Sequence, residues 1–290
     1  MLPSEEQQQP PPLPKPYPGF WQAMGLFAVY LGGSIVVILP FAVTDGIAKT
    51  SLMKSPWILG ASTLAGGLFA VLVARSKLHL SWSDLAGPFR IPAQVVGPMA
   101  AVIVGQLILT MVVLFWVLRL FPSLLPTEAY GLDKTLIGAA FALMFAAPLS
   151  EEFLFRGVFL RGFVPRYGLT KGILLGAAMF AAAHMSLGKI FGTFMLGVIF
   201  GWWYSKMGSI WPGVIGHALN NGVPVVVAAL AGKASVKDNK LPPFSWAEPV
   251  FAIIGLALLA QGILTMHRYF QFESGRRASL VDPVEVLRSE

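Results

Sequence analysis

The sequence predicts an all-α fold: a polytopic transmembrane helical bundle of about eight spans. Three observations predict it. Of 290 residues, 56% are hydrophobic and only 12% are charged, where a soluble domain carries about a quarter charged residues. Mean hydropathy is +0.69. Apolar runs recur along the chain at the length, about 20 residues, that crosses a bilayer as a helix. An unusually apolar soluble α/β domain fails on those runs.

The eight candidate spans are, in order, 20–43, 56–74, 94–118, 134–160, 171–188, 190–206, 209–230 and 249–267. The first two are rich in small residues, as in "GLFAVYLGGS" and "GASTLAGG", which let membrane helices approach closely. The third and the eighth are plain apolar runs. Spans four to seven differ, because they carry Glu, Arg, His and Asn among apolar neighbours and have short connections. Only Gly188 and Lys189 separate spans five and six, so one of the two is expected to be short, tilted or partly re-entrant.

Between the spans, loop 75–93 is amphipathic and bears Trp82 and Phe89, as an interfacial segment would. Loop 119–133 is mixed, and loop 231–248 is the most polar connection. Residues 1–18 are rich in Pro and Gln and read as a disordered, polyproline-like tail. They lack the basic start of a secretory signal peptide. The expected organisation is this tail, a helical domain over 19–268 with its polar core at about 134–230, and a soluble tail over 269–290.

The net charge is +7 and the pI about 9.7. The basic residues are scattered among the connections, which speaks against a nucleic-acid surface. The expected partner is the lipid bilayer. An even number of spans puts both termini on one side, with twelve Lys and Arg there and eight on the other. The positive-inside rule then places the termini in the cytoplasm. The chain has no cysteine, which excludes disulfides, thiol nucleophiles and Cys-based metal sites.

Ionisable groups inside a span are costly and mark a site, a pathway or a partner pair. Glu151 and Glu152 lie ten or so residues before Arg161, about 15 Å into the membrane at 1.5 Å per residue. Counted from the same side, His217 reaches a similar depth, and His184 and Asn221 reach about 20 Å. Five polar residues on three helices thus converge. Glu152 and Arg156 are four residues apart and share a helix face, so an intrahelical salt bridge is one reading of that pair. Glu151 is turned about 100° away (from 3.6 residues per turn) and faces something else. His217 and Asn221 share a face, as do Phe180 and His184.

These groups suit hydrolysis by an activated water. A carboxylate takes the proton. Histidine can position the water, donate to the leaving amine or hold a metal, and an asparagine amide can donate to an oxyanion. Glu with two His is a set that zinc accepts, although the HExxH signature is missing. There is no GxSxG elbow for a serine nucleophile.

In order along the chain, "EEFLFR", "FAAAH" and "HALNN" resemble the three motifs of the CAAX prenyl protease and bacteriocin-processing (Abi) family of intramembrane endopeptidases, relatives of the type II CAAX proteases. The resemblance covers about 134–230. It implies Glu151 as the residue that activates water, with Glu152 and Arg156 supporting the site. It implies Phe180 and His184 as the second motif, His217 beside the attacking water and Asn221 as oxyanion donor. The family is described both as metalloproteases and as glutamate-dependent enzymes. Zinc therefore stays open, with Glu151, His184 and His217 as candidate ligands. The implied substrate is a membrane-associated protein or peptide, a prenylated CAAX protein in eukaryotes and a bacteriocin-related or other membrane peptide in bacteria. The implied location is a bacterial inner membrane. Two other readings stand beside it: a non-catalytic protein or proton-coupled transporter using the buried Glu, Arg and His, and a basic lipid- or partner-binding surface.

Overall fold

The computed structural model describes residues 16–121, 136–184, 186–231 and 244–286. Among these residues every regular element is helical. The long helices are α1 (Phe20–Ala48), α2 (Pro56–Leu78), α4 (Ala93–Leu120), α5 (Leu136–Tyr167), α6 (Leu169–Ala183), α7 (Ile190–Met207), α8 (Trp211–Ala231) and α9 (Ala247–Val286). A single short helix, α3 (Trp82–Ala86), lies between α2 and α4. In hydrocarbon no water satisfies backbone groups, so a spanning segment must bond internally, as a helix does.

Each of the eight expected segments falls on one of these long helices. Five of them, α1, α2, α4, α5 and α9, are long and apolar enough to cross a membrane. Large side chains such as Ile35, Val36, Leu39, Ile253 and Leu256 point outward from them, more than half exposed. The protein is a multi-pass membrane protein. At 15 residues α6 is only about 22 Å long, shorter than a hydrocarbon core of about 30 Å.

Three boundaries differ from the sequence reading. Span four does not end at 160. The helix continues to Tyr167, where Gly168 adopts φ +85° and stops it. Arg161 and Arg166, read as loop residues, sit on that last stretch and donate to the carbonyls of Asp84 and Pro16. Span five ends five residues early, with His184 at the C-terminal cap of α6. The last helix runs past 268 to Val286. The readings for residues 1–15, and for most of loops 119–133 and 231–248, lie outside the described residues.

Glycine sets how closely the helices pair. A Cβ on Gly33 of α1 would come within 3.1 Å of the Gly66 Cα on α2. Gly105 of α4 and Gly255 of α9 are packed reciprocally, and Gly197 of α7 lies against Ala177 of α6. This is small-residue packing between membrane helices. Helix α5 threads the centre, and its Phe155, Phe159 and Phe163 join Phe180, Phe200 and Trp203 in the buried core.

One end of the bundle is tied by polar contacts. The Phe20 N–H donates to the Tyr167 hydroxyl at 3.0 Å, Ser209 donates to the Pro88 carbonyl at 2.8 Å, and the Ile210 N–H donates to the Ala86 carbonyl at 2.9 Å. Loop 75–93, the end of α5 and the α7–α8 turn therefore meet there, the same three connections that the span count puts beside the N-terminus. At the other end Arg119 of α4 and Glu248 of α9 form a two-pronged ion pair at 2.6 and 2.7 Å. It borders an apolar cavity of about 510 Å³ between α4, α8 and α9.

Candidate active site

Helix α5 is not a uniform α-helix. Two stretches, Phe141–Ala146 and Phe153–Leu160, are wound as π-helix, and the α-helical turn Ala147–Glu152 between them carries the carboxylates. Pi-turns widen a helix and recur at functional sites. The first has a readable cause. The Ala147 N–H donates to the Ala142 carbonyl, five residues back. The Leu143 carbonyl would then look to residue 148, which is proline and has no N–H. The Asn221 side-chain amide on α8 donates to that carbonyl instead, at 2.9 Å. Pro148 thus ties α5 to α8 one turn before the acids.

Glu152 is fully buried and Arg156 is 3% exposed. Their ion pair is 2.8 Å long. The guanidinium also donates to the Gly197 carbonyl at 3.2 Å. It lies between the rings of Phe180 and Phe200, with centroids at 4.6 and 5.4 Å, close enough for cation–π attraction. Four partners hold one arginine. Gly213 of α8 lies against the second Glu152 oxygen, where a Cβ would clash with it.

His217 is 2% exposed and lies between the two acids. Its Nδ1 is 3.4 Å from Glu152 Oε1, and its Nε2 is 3.9 Å from Glu151 Oε2. Neither contact is a formed hydrogen bond. Phe180 and Phe200 flank the imidazole at 5.7 and 5.9 Å. A carboxylate only accepts, so each acid is a ready acceptor for an imidazole N–H on the side that faces it.

Glu151 is different. Arg156 gives it no hydrogen bond; its Oε2 has no hydrogen-bond partner, and its side chain is 15% exposed. It borders a cavity of about 60 Å³ lined also by Tyr30, Phe155, Ala183 and His184. That space holds more than one water, which needs about 10–15 Å³. His184 bonds through Nδ1 to the Phe180 carbonyl at 2.9 Å. A carbonyl cannot donate, so Nδ1 carries a proton and the neutral ring keeps its lone pair on Nε2.

The structure therefore joins Glu151, Glu152, Arg156 and His217 by direct approach, and His184 by a shared cavity. Asn221 lies one turn beyond His217, bonded to Leu143 and accepting from Asn220 at 3.3 Å. It does not line the cavity. A catalytic zinc takes three protein ligands, and among the described residues no three His, Cys, Asp or Glu groups gather as a metal site. Sequence reasoning missed Tyr30 and Gly213. The first had a signal, since it is the one titratable residue in 20–43. The second had none.

A membrane-embedded helical bundle with adjacent acids on α5, a histidine between them and a second histidine across a small cavity defines a class: polytopic membrane proteins with a buried acid–histidine site. Residues 133–223 match the family model described as Type II CAAX prenyl endopeptidase Rce1-like. All six expected site residues fall inside this stretch, and Tyr30 falls outside it. No curated protein and no solved structure matches the chain.

Proposed function

We infer that the protein is an intramembrane endopeptidase that hydrolyses a peptide bond of a membrane-associated protein or peptide. The observation that carries this reading is His217, set between one paired carboxylate and one unpaired carboxylate that opens onto a cavity. The partial family match supports it.

In this scheme a water lies between Glu151 and His217 Nε2, whose 3.9 Å separation is too long for a direct bond and suits a bridge. Glu151 takes one proton as the water oxygen attacks the carbonyl carbon. The C–N bond of the tetrahedral intermediate then breaks, and the proton held by Glu151 passes to the departing amine. The products are one carboxylic acid and one amine. Glu152 orients His217 through Nδ1, and Arg156 holds the Glu152 carboxyl in place. Asn221 holds α8 in register with α5. The proposed setting has all eight long helices in a bacterial inner membrane, with cytoplasmic termini.

The test compares purified wild type with Glu151→Ala and His217→Ala on membrane-associated peptides, with and without a chelator. Loss of a general base lowers the rate by about 100- to 10,000-fold, so both variants should be nearly silent. Equal cleavage by all three proteins rejects the reading, as does silence of the wild type across a broad peptide library. Loss of wild-type activity on chelation, restored by zinc alone, would bring Glu151, His184 and His217 back as ligands.

A further inference from the structure

Arg156 and His217 meet at one atom. The guanidinium lies 2.8 Å from Glu152 Oε1, and His217 Nδ1 lies 3.4 Å from the same oxygen. Whatever fixes these two groups relative to each other therefore fixes the site. Two rings lie against both of them. One is Phe180 of the second motif, with centroids 4.6 Å from the guanidinium and 5.7 Å from the imidazole. The other is Phe200 of α7, a helix that carries none of the residues expected from the sequence.

Phe200 faces the guanidinium at 5.4 Å and the imidazole at 5.9 Å, with the two ring planes 36° apart. It is fully buried, and Trp203 packs on it at 5.4 Å. Gly216 of α8, the residue before His217, lies so close that a Cβ there would come within 3.0 Å of the Phe200 ring and 2.8 Å of the Trp203 ring. The ring thus has little room to turn. One turn earlier on α7, the Gly197 carbonyl accepts from the same guanidinium at 3.2 Å. Residues three apart share a helix face, so α7 presents Arg156 with a carbonyl and a ring face side by side. An aromatic face carries partial negative charge. It holds a cation by attraction as well as by contact, where an aliphatic side chain supplies contact alone.

We propose that Phe200 is a positioning residue, whose ring sets the Arg156 guanidinium and the His217 imidazole against Glu152 and so holds His217 beside the attacking water. This rests on the endopeptidase reading. Phe200 touches no reacting atom and acts through His217. The site then draws on α7 as well as on α5, α6 and α8.

The experiment uses the full chain in lipid nanodiscs and a cleaved peptide, comparing wild type, trifluorophenylalanine in place of Phe200, Phe200→Leu and Glu151→Gln. Fluorine leaves the ring close to its size and drains the negative charge from its face. From the strength of a desolvated cation–π contact, the fluorinated protein should lose kcat by about 10- to 30-fold with KM little changed. Phe200→Leu should lose at least as much. The chain has four histidines, so carbon-13 histidine spectra resolve His217, assigned by its loss in His217→Gln. Its signal should move on fluorination while those of His79 and His267 stay in place. A fluorinated protein with kcat within threefold of wild type, while Glu151→Gln is silent, makes the ring a packing residue and overturns the Phe200 assignment alone. A His217 signal that does not move does the same. If wild type and Glu151→Gln are equally inactive, the endopeptidase reading fails and this assignment falls with it.

Discussion

The two sides of α5 treat adjacent carboxylates in opposite ways. Toward α7 and α8, Glu152 is fully buried, ion-paired to Arg156 and packed on Gly213. Toward α1 and α6, Glu151 has an oxygen without a hydrogen-bond partner and opens onto a cavity. One residue of offset separates an acid paired to Arg156 from one that borders the cavity. The difference teaches that burial alone does not mark the chemistry. The most deeply buried acid is the one whose carboxylate is held by an arginine, itself packed between two aromatic rings.

The comparison breaks most visibly at Arg156. Removing one partner of a buried pair costs about 3–5 kcal/mol, so Arg156→Ala should lower the melting temperature far more than Glu151→Gln does. The double variant Glu152→Met with Arg156→Met should regain much of that stability, since apolar replacements of a buried pair are often neutral or better. Its peptide cleavage should stay low, because His217 has lost its orienting carboxylate. Recovery of activity together with stability would show that the paired side has no part in the reaction.

A smaller effect is expected at Gly213. A methyl group there meets a Glu152 oxygen, and overpacking of this kind costs about 1–3 kcal/mol. Gly213→Ala should therefore displace the carboxylate and lower kcat while the protein stays folded, which gel filtration and a melting curve would check. The smallest effect belongs to Asn221→Ala. Loss of its bond to Leu143 costs about 1 kcal/mol, read as a modest drop in melting temperature. A fall in kcat beyond about 100-fold, with KM and melting temperature intact, would restore the oxyanion part implied by the motif.

Much of this could be read from one sequence, for identifiable reasons. Apolar length locates helices because hydrocarbon leaves the backbone no other arrangement, so all eight segments landed on helices. The Glu152–Arg156 pairing follows from a spacing of four, and Glu151 and His217 converge because depth can be counted from a charged helix end. The misses share a different origin. The first π-turn depends on how the Leu143 carbonyl, left without a partner by Pro148, is met by a side chain 78 residues later in the chain. Arg161 and Arg166 looked like loop residues because their acceptors, Asp84 and Pro16, belong to other segments. Tyr30 and Gly213 acquire meaning only through which helix each one touches.

Two neighbouring glycines on α2 bring one more consequence. Gly66 abuts Tyr30 and Ser34 on α1, whereas Gly67 abuts Ser150 on α5, the residue before Glu151. Helix α2 thus works as a gauge block, whose thickness at these two positions sets the gap between the phenol and the carboxylate. It offers no atom to the cavity that gap defines. The calibre of that cavity is set by a helix that does not line it, and a single added methyl group on either glycine would reset it.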